Sequence, residues 1–414
     1  LQDDASPRDN ANTSSRYATI EALVDHGTYA IDATHYVQTI DKYMAGGHYI
    51  SSKPPTLPTL AAGVYWVYEQ LTGKTIARAE GPIVRLTSLF TGGLGHLIFL
   101  IYFYRLCVLL LRRDVATVAC MAGACFGYLG IAYATRINEL STAAALGICG
   151  LYYACAIRHG HAQRPWHWVI AGLVLGLLPA IDLPGLAISG LIGMYLLAHD
   201  WRKTLIWFVP ALLPGLVTHL ALTYAISGSL KPFYFNSDLK AFKGFAFHGN
   251  AGGIDAVYEQ KATYAFNVLL GHHGVFSMTP LLAFGLWELV SCLRRRRLLR
   301  ESLVCAGAVA AFFTFFIWRT HNYGGWCVGM RWLVPVMPFL LLYFGVWIDR
   351  VRLHWRWCIP VLAAFAVSGF NVQDGLENPY QYSLWHNWVD GASLNRNRLG
   401  GRVFNVRVTK KRGH

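Results

Sequence analysis

Lys53 is followed by Pro54 and Pro55, and two prolines restrict the backbone that carries the cation. A lysine held in this way can meet an anion with little further ordering, which suits recognition of a phosphate group. Arg16, just after Ser14 and Ser15, is a second cation in the same polar stretch, and Lys42 is a third. Each also has a plainer reading. Lys53 and Lys42 could snorkel at a membrane interface, and Arg16 could decorate the first turn of a surface helix. The proline pair favours function for Lys53, Arg16 stands open, and Lys42 is read as structural.

The elements that must position these residues are set by hydropathy. Hydrophobic residues make up 54% of the 414, which soluble domains rarely reach. About ten apolar runs alternate with short connectors, and a helix needs roughly 20 apolar residues to cross a bilayer. Lys and Arg cluster in every second connector: Arg112-Arg113, Arg158 to Arg164, Arg202-Lys203, Arg294 to Arg300 and Arg350 to Arg356. Cytoplasmic connectors carry that excess. The pattern predicts an all-α, multi-pass protein of the cell (inner) membrane, with residues 1–80, 227–273 and 371–414 outside the cytoplasm. The net charge of +14 is explained by topology, so nucleic acid is not an expected partner.

The runs read as spans at Leu86–Leu111, Val115–Ala134, Thr142–Ile157, Trp168–Ala180, Pro184–Ala198, Leu205–Ile226, Val275–Leu293, Leu303–Trp318, Leu333–Ile348 and Trp357–Phe370. Residues 1–80 read as a first extracytoplasmic loop with two outer-face amphipathic helices. The first covers Arg16 to Asp25, with Ser14 or Ser15 as its cap. The second covers Thr56 to Leu71 and presents Leu57, Leu60, Ala61, Val64 and Val67 on one side. Between them, Ala33 to Ser52 reads as loop, with Gly46-Gly47 as a turn. Residues 81–370 form the bundle. Its long segment 227–273 is rich in aromatic residues and reads as a lid, a re-entrant stretch or an interfacial belt. Residues 371–414 read as a tail on the outer face. The chain starts at Leu1 with polar residues already outside, so a first span is expected to be missing.

Ser15-Arg16-Tyr17-Ala18, then Gly47-His48-Tyr49-Ile50-Ser51-Ser52-Lys53-Pro54-Pro55, resembles the first outer loop of GT-C-fold glycosyltransferases. The nearest group is that of the protein mannosyltransferases and aminoarabinose transferases (glycosyltransferase family 39-like). Asn322-Tyr323-Gly324-Gly325-Trp326-Cys327-Val328-Gly329-Met330-Arg331-Trp332 resembles a later loop of the same family, N-Y-G-G-x-x-x-G-x-R-Y. The resemblance covers most of the chain in layout, with its motifs in residues 12–60 and 318–340.

It implies a transferase of hexosyl or pentosyl type in the cell envelope. Such an enzyme moves a sugar from a polyprenyl-phosphate donor to a lipid, glycan or protein acceptor at the extracytoplasmic face, among membrane lipids. Arg16, Lys53 and Arg331 would meet the donor phosphate, where preorganised cations stabilise the growing negative charge. Arg331 also stands at the end of a span, where an unpaired charge is costly.

The family usually carries a carboxylate three residues before the arginine matched by Arg16. Here that residue is Thr13, which cannot act as a base near neutral pH. Asp9, Asp41 and Glu139 are the catalytic candidates in its place. Asp182 and the acidic pair Asp3 and Asp4 read as capping and solvated surface. His48, His248, His272, His273 and His321 fall in outward segments without metal-ligand spacing, and the adjacent His272 and His273 are expected to diverge. No metal site is assigned. A divalent ion bridging a phosphate and Glu139 is the one form of cofactor the pattern leaves open. The nine cysteines contain no C-x-x-C pair and read as small buried residues. Two other functions fit less of the pattern. A transporter or flippase of lipid-linked glycans would place charges inside its spans. An inactive GT-C scaffold would explain Thr13.

Overall fold

The computed structural model describes residues 10–236, 238–241, 260–320, 322–325, 327–351 and 355–391. It is a helical membrane bundle. Among the described residues, six helices are long and apolar enough to cross a bilayer: Ile76–Leu110, Glu139–Arg158, Trp201–Ser227, Leu299–Arg319, Arg331–Val351 and Arg356–Glu377. Three more apolar helices are shorter, at Asp114–Gly127, Pro165–Ile181 and Gly185–Leu197.

Two expected spans are broken. Val115–Ala134 is interrupted at Tyr128 and Leu129 before a short helix at Gly130–Ala134. Val275–Leu293 divides into Val275–Met278 and Leu281–Arg295, because Pro280 has no amide hydrogen with which to continue the ladder.

Glu139–Arg158 and Arg331–Val351 are buried along most of their length and form the centre of the bundle. Trp201–Ser227 lies at the edge, with Leu205, Ile206, Val217 and Leu220 exposed, as a lipid-facing helix requires. Its other side packs against Pro165–Ile181 at glycines. A Cβ on Gly176 would meet the Leu212 carbonyl oxygen at 2.2 Å, and one on Gly215 would meet the Gly176 backbone at 2.3 Å. Small residues allow this approach where no hydrophobic drive separates helix from lipid.

The basic connectors meet at one end of the bundle. Asp349 accepts from the Arg112 amide at 3.3 Å and pairs with Arg297 at 3.2 Å. Arg350 holds Glu288 through two nitrogens, and His159 contacts Glu301 at 3.1 Å. Glu139 and Arg331 begin the two central helices that end near these connectors, about 30 Å away at 1.5 Å per residue.

At the opposite end, the first helix is Ala11–Asp25 rather than Arg16–Asp25. Asn10 is its cap, its side chain accepting from the Thr13 amide at 3.2 Å, and Ser14 and Ser15 are interior. It does not ride on the surface: Thr13 to Ala22 are all buried. Tyr17 and Ile20 share one buried cluster with Ile137 and Ile181 of the bundle and with Leu57, Ala61 and Tyr65 of the second helix.

The second helix, Thr56–Thr72, ends at Gly73 in the left-handed conformation. Its buried face is rotated from the expected one, with Leu57, Ala61, Ala62 and Tyr65 inside while Leu60 and Val67 are exposed. The segment between the two helices contains a hairpin. Lys42–Ala45 pairs antiparallel with His48–Ser51 around Gly46 and Gly47, whose φ values of 56° and 88° give the turn the twist that strands favour. Lys240–Ala241 adds a third strand on the other edge of Lys42–Ala45.

Candidate active site

The end of the bundle away from the basic connectors gathers ionised side chains in a buried setting. Arg16, in the second turn of its helix, is 1% exposed. Its Nη1 donates to the Asn12 carbonyl at 2.9 Å, and its Nη2 pairs with Glu139 Oε2. Glu139 is the first residue of a central helix, and Asn138 caps that helix by accepting from the Leu140 amide at 2.8 Å. Arg16, Arg331 and Lys53 all act on Glu139 through their charges. Three cations around one carboxylate repel a further divalent ion, which disfavours a metal bridged by Glu139.

Lys53 and Asp41 form a second ion pair, Nζ to Oδ2 at 2.6 Å, both largely buried. The Lys53 amide donates to Ser51 Oγ at 3.1 Å, and Ser15 Oγ donates to the Asp41 carbonyl at 2.6 Å. The hairpin, the proline pair and the first helix therefore fix this lysine together. Lys42 is buried against the Val37 carbonyl and sits 4.4 Å from the Tyr49 ring centre, a packing role.

Arg331 is 5% exposed, and its Nε and Nη1 have no hydrogen-bond partner among the described residues. Its guanidinium lies 5.7 Å from the Tyr380 ring centre. The loop before it is shaped by Asn322, whose Oδ1 accepts from the Gly324 amide at 2.9 Å and the Gly325 amide at 2.7 Å. Gly324 has φ 98°, and a Cβ there would stand 2.9 Å from Arg331 Cγ and Nε. Glycine is needed for the backbone and for the arginine side chain alike.

The sequence predicts a capping role for Asp182. Its backbone does end the Pro165–Ile181 helix, the amide donating to the Leu178 carbonyl at 2.9 Å. Its side chain has no bonded cation among the described residues. Burial, then the charge of Glu139, pushes its carboxyl up to about 7. It therefore stands within electrostatic reach of Glu139. No spacing in the sequence ties residue 182 to residue 139, so this partner could be found only in three dimensions. Asp9, like Asp3, Asp4, His248 and His321, lies outside the described residues.

No protein-family model matches the chain, and no curated protein matches it. Solved structures do. ArnT from Cupriavidus metallidurans in the apo state superposes with a TM-score of 0.55 at 20% identity, over 86% of this chain and 57% of that one. The same protein bound to undecaprenyl phosphate gives 0.52 at 19% identity, over 86% and 58%. An Archaeoglobus fulgidus oligosaccharyltransferase in the apo form gives 0.49 at 13% identity, over 95% and 55%. The chain thus spans a little over half the length of these proteins. The two ArnT structures establish the architecture that the loop motifs had suggested, and the chain is a multi-pass membrane protein with the GT-C fold.

Proposed function

We propose that this chain is a glycosyltransferase that takes a sugar from a polyprenyl-phosphate donor and passes it to an acceptor at the extracytoplasmic face. The observation that carries this reading is the convergence of Arg16, Lys53 and Arg331 on the carboxylate of Glu139 at one end of the bundle. The ArnT fold, seen with undecaprenyl phosphate in one structure, agrees with it. The charge pattern of the connectors supports the orientation and a bundle of about ten membrane-crossing or membrane-embedded helices.

In this mechanism the acceptor hydroxyl oxygen attacks the anomeric carbon, and the bond from that carbon to the phosphate oxygen breaks. The electron pair leaves with the phosphate. Arg16, Lys53 and Arg331 stabilise that charge, and they are already oriented when the donor arrives. Arg331 is the best placed to receive the phosphate, since two of its nitrogens have no partner among the described residues.

The acceptor proton passes to a carboxylate. Glu139 and Asp41 each hold a cation, which suits them to orientation. Asp182 titrates at about 7 and has no bonded cation among the described residues, so it is the better proton acceptor. Asp9 stays a candidate on its place in the sequence.

The test uses purified chain and undecaprenyl phosphate as probe. The lipid should raise the melting temperature of the wild type, and Lys53→Ala and Arg331→Ala should abolish that rise. A synthetic undecaprenyl-phosphate sugar should then be consumed by the wild type in the presence of a membrane lipid extract. An unshifted wild type that leaves the donor intact would overturn the reading.

A further inference from the structure

The candidate active site leaves a cluster of three buried histidines unexplained. His272 and His273 precede the short Val275–Met278 helix, and His386 lies in the Leu384–Gly391 helix, more than a hundred residues on. One nitrogen from each lies within 4.8 Å of the others, and the three side chains are 5%, 1% and 7% exposed. The adjacent histidines do not diverge as the sequence led us to expect: their Nδ1 atoms are 2.5 Å apart. Each ring meets the other two edge to face, with centroid distances of 4.6 to 5.0 Å. Three imidazole nitrogens thus gather within 4.8 Å of one another.

Aromatic rings hold the group in place. Tyr323 stacks on His273 at 4.7 Å with planes 12° apart, and Tyr382 stacks on His386 at 4.2 Å with planes 8° apart. Trp385 Nε1 donates to the Gly271 carbonyl at 3.2 Å, joining the helix to the connector beside the cluster. His273 Nε2 is buried without a hydrogen-bond partner among the described residues, a costly state for a polar atom in a packed interior.

We propose that His272, His273 and His386 form a binding site for one divalent transition metal, zinc foremost, which fastens the Leu384–Gly391 helix to the connector preceding Val275. Nitrogens bound to one zinc at about 2.0–2.1 Å stand roughly 3.3 Å apart, between the 2.5 Å and 4.8 Å found here, so side-chain rotations complete the geometry. Three imidazoles with no carboxylate among them favour zinc, nickel, copper or cobalt over magnesium or calcium. The site shares no residue with the candidate active site and does not depend on its assignment.

The experiment uses the full chain, purified with a tag free of histidine, stripped with EDTA, re-loaded with Zn²⁺ and desalted. Metal content is then measured by mass spectrometry. The wild type should retain about one zinc per chain and melt at a higher temperature with metal than without. His386→Ala and His273→Ala should retain less than about a tenth as much and lose the melting shift. His386→Cys replaces one zinc ligand with another and should retain the metal, which separates loss of a ligand from loss of fold. His48→Ala, at an exposed histidine outside the cluster, should behave as wild type. The proposal is overturned if the stripped wild type takes up no zinc, or if His386→Ala keeps it.

Discussion

Arg16 and Glu139 stand 123 positions apart in the chain and meet as an ion pair, with side chains 1% and 15% exposed. The pair joins the first described helix to a central helix of the bundle, so one contact both holds the fold and builds the candidate site. A charge left alone in that setting is strongly unfavourable.

Removing either partner should therefore destabilise the protein by about 3–5 kcal/mol, whereas removing both should cost much less. Thermal or denaturant unfolding of Arg16→Met, Glu139→Gln and the double variant measures the coupling. Independent, additive losses would show that the pair is not what joins the two helices.

Lys53→Ala should destabilise the first loop, since it leaves the buried Asp41 carboxylate unpaired, and should lower transfer per folded molecule by about 10²–10³-fold, the scale of losing one preorganised donor to a developing charge. Asp41→Asn should cost less, because the amide oxygen still turns a partial negative charge toward the Lys53 ammonium. Steady-state rates on a synthetic polyprenyl-phosphate sugar give both numbers. Equal rates for wild type and Lys53→Ala would remove this lysine from the chemistry.

Asp182 makes the pH dependence specific. As a base it must be ionised, so transfer should rise as pH increases through about 7 and level off above. Asp182→Asn should abolish that rise along with most of the activity. Stability runs the other way. The carboxyl binds its proton more tightly when folded than when unfolded, near pH 3.9. Its stabilising contribution is complete below about pH 4 and is lost as pH rises through about 7. A rate that ignores pH between 6 and 8 would exclude Asp182 as the proton acceptor.

Gly324→Ala should displace Arg331. The new Cβ would lie 2.9 Å from that side chain, on a backbone with φ 98°. A penalty of about 1–3 kcal/mol is expected, together with weaker binding of undecaprenyl phosphate. Gly325→Ala meets no atom within 4 Å and carries only the backbone strain of φ 82°. A donor affinity lowered more by the second variant than by the first would contradict the steric argument.

Orientation is open to chemical labelling. A cysteine at exposed Lys231 should react with an impermeant thiol reagent on intact cells, as should cysteines near Asn250 and Asn395. Cysteines at His161 and Arg296 should react only after the membrane is opened. The native thiols at half-buried Cys125 and Cys358 need a matched control. Reaction at His161 from outside would invert the topology.

Much of the fold was legible because hydropathy and charge act locally. The apolar run after Glu139 and the arginines at its far end fix one central helix without any tertiary information. Thr56–Thr72 was bounded by Pro55 and Gly73. What escaped was decided between distant segments. Gly46-Gly47 marked a turn, but the flanking strands are short and lack clean alternation, so the hairpin was hidden. Ser14 and Ser15 looked like caps because they precede a helical pattern, yet Asn10 starts the helix a turn earlier and buries both. In the candidate site, the cations Arg16, Lys53 and Arg331 stood out by motif. Their pairing with Glu139 and Asp41, and the nearness of Asp182, come from helix packing that no spacing records.

The small sheet has a mechanical consequence. Met44 faces Lys240 and Tyr43 faces Ala241 across its edge, and Asp41, which holds Lys53, adjoins the same strand. Lys240–Ala241 is thereby joined to the first loop. Residues 240–241 and the partner of Lys53 thus meet at one strand, and a chain segment nearly 200 positions away braces the hairpin that carries the lysine.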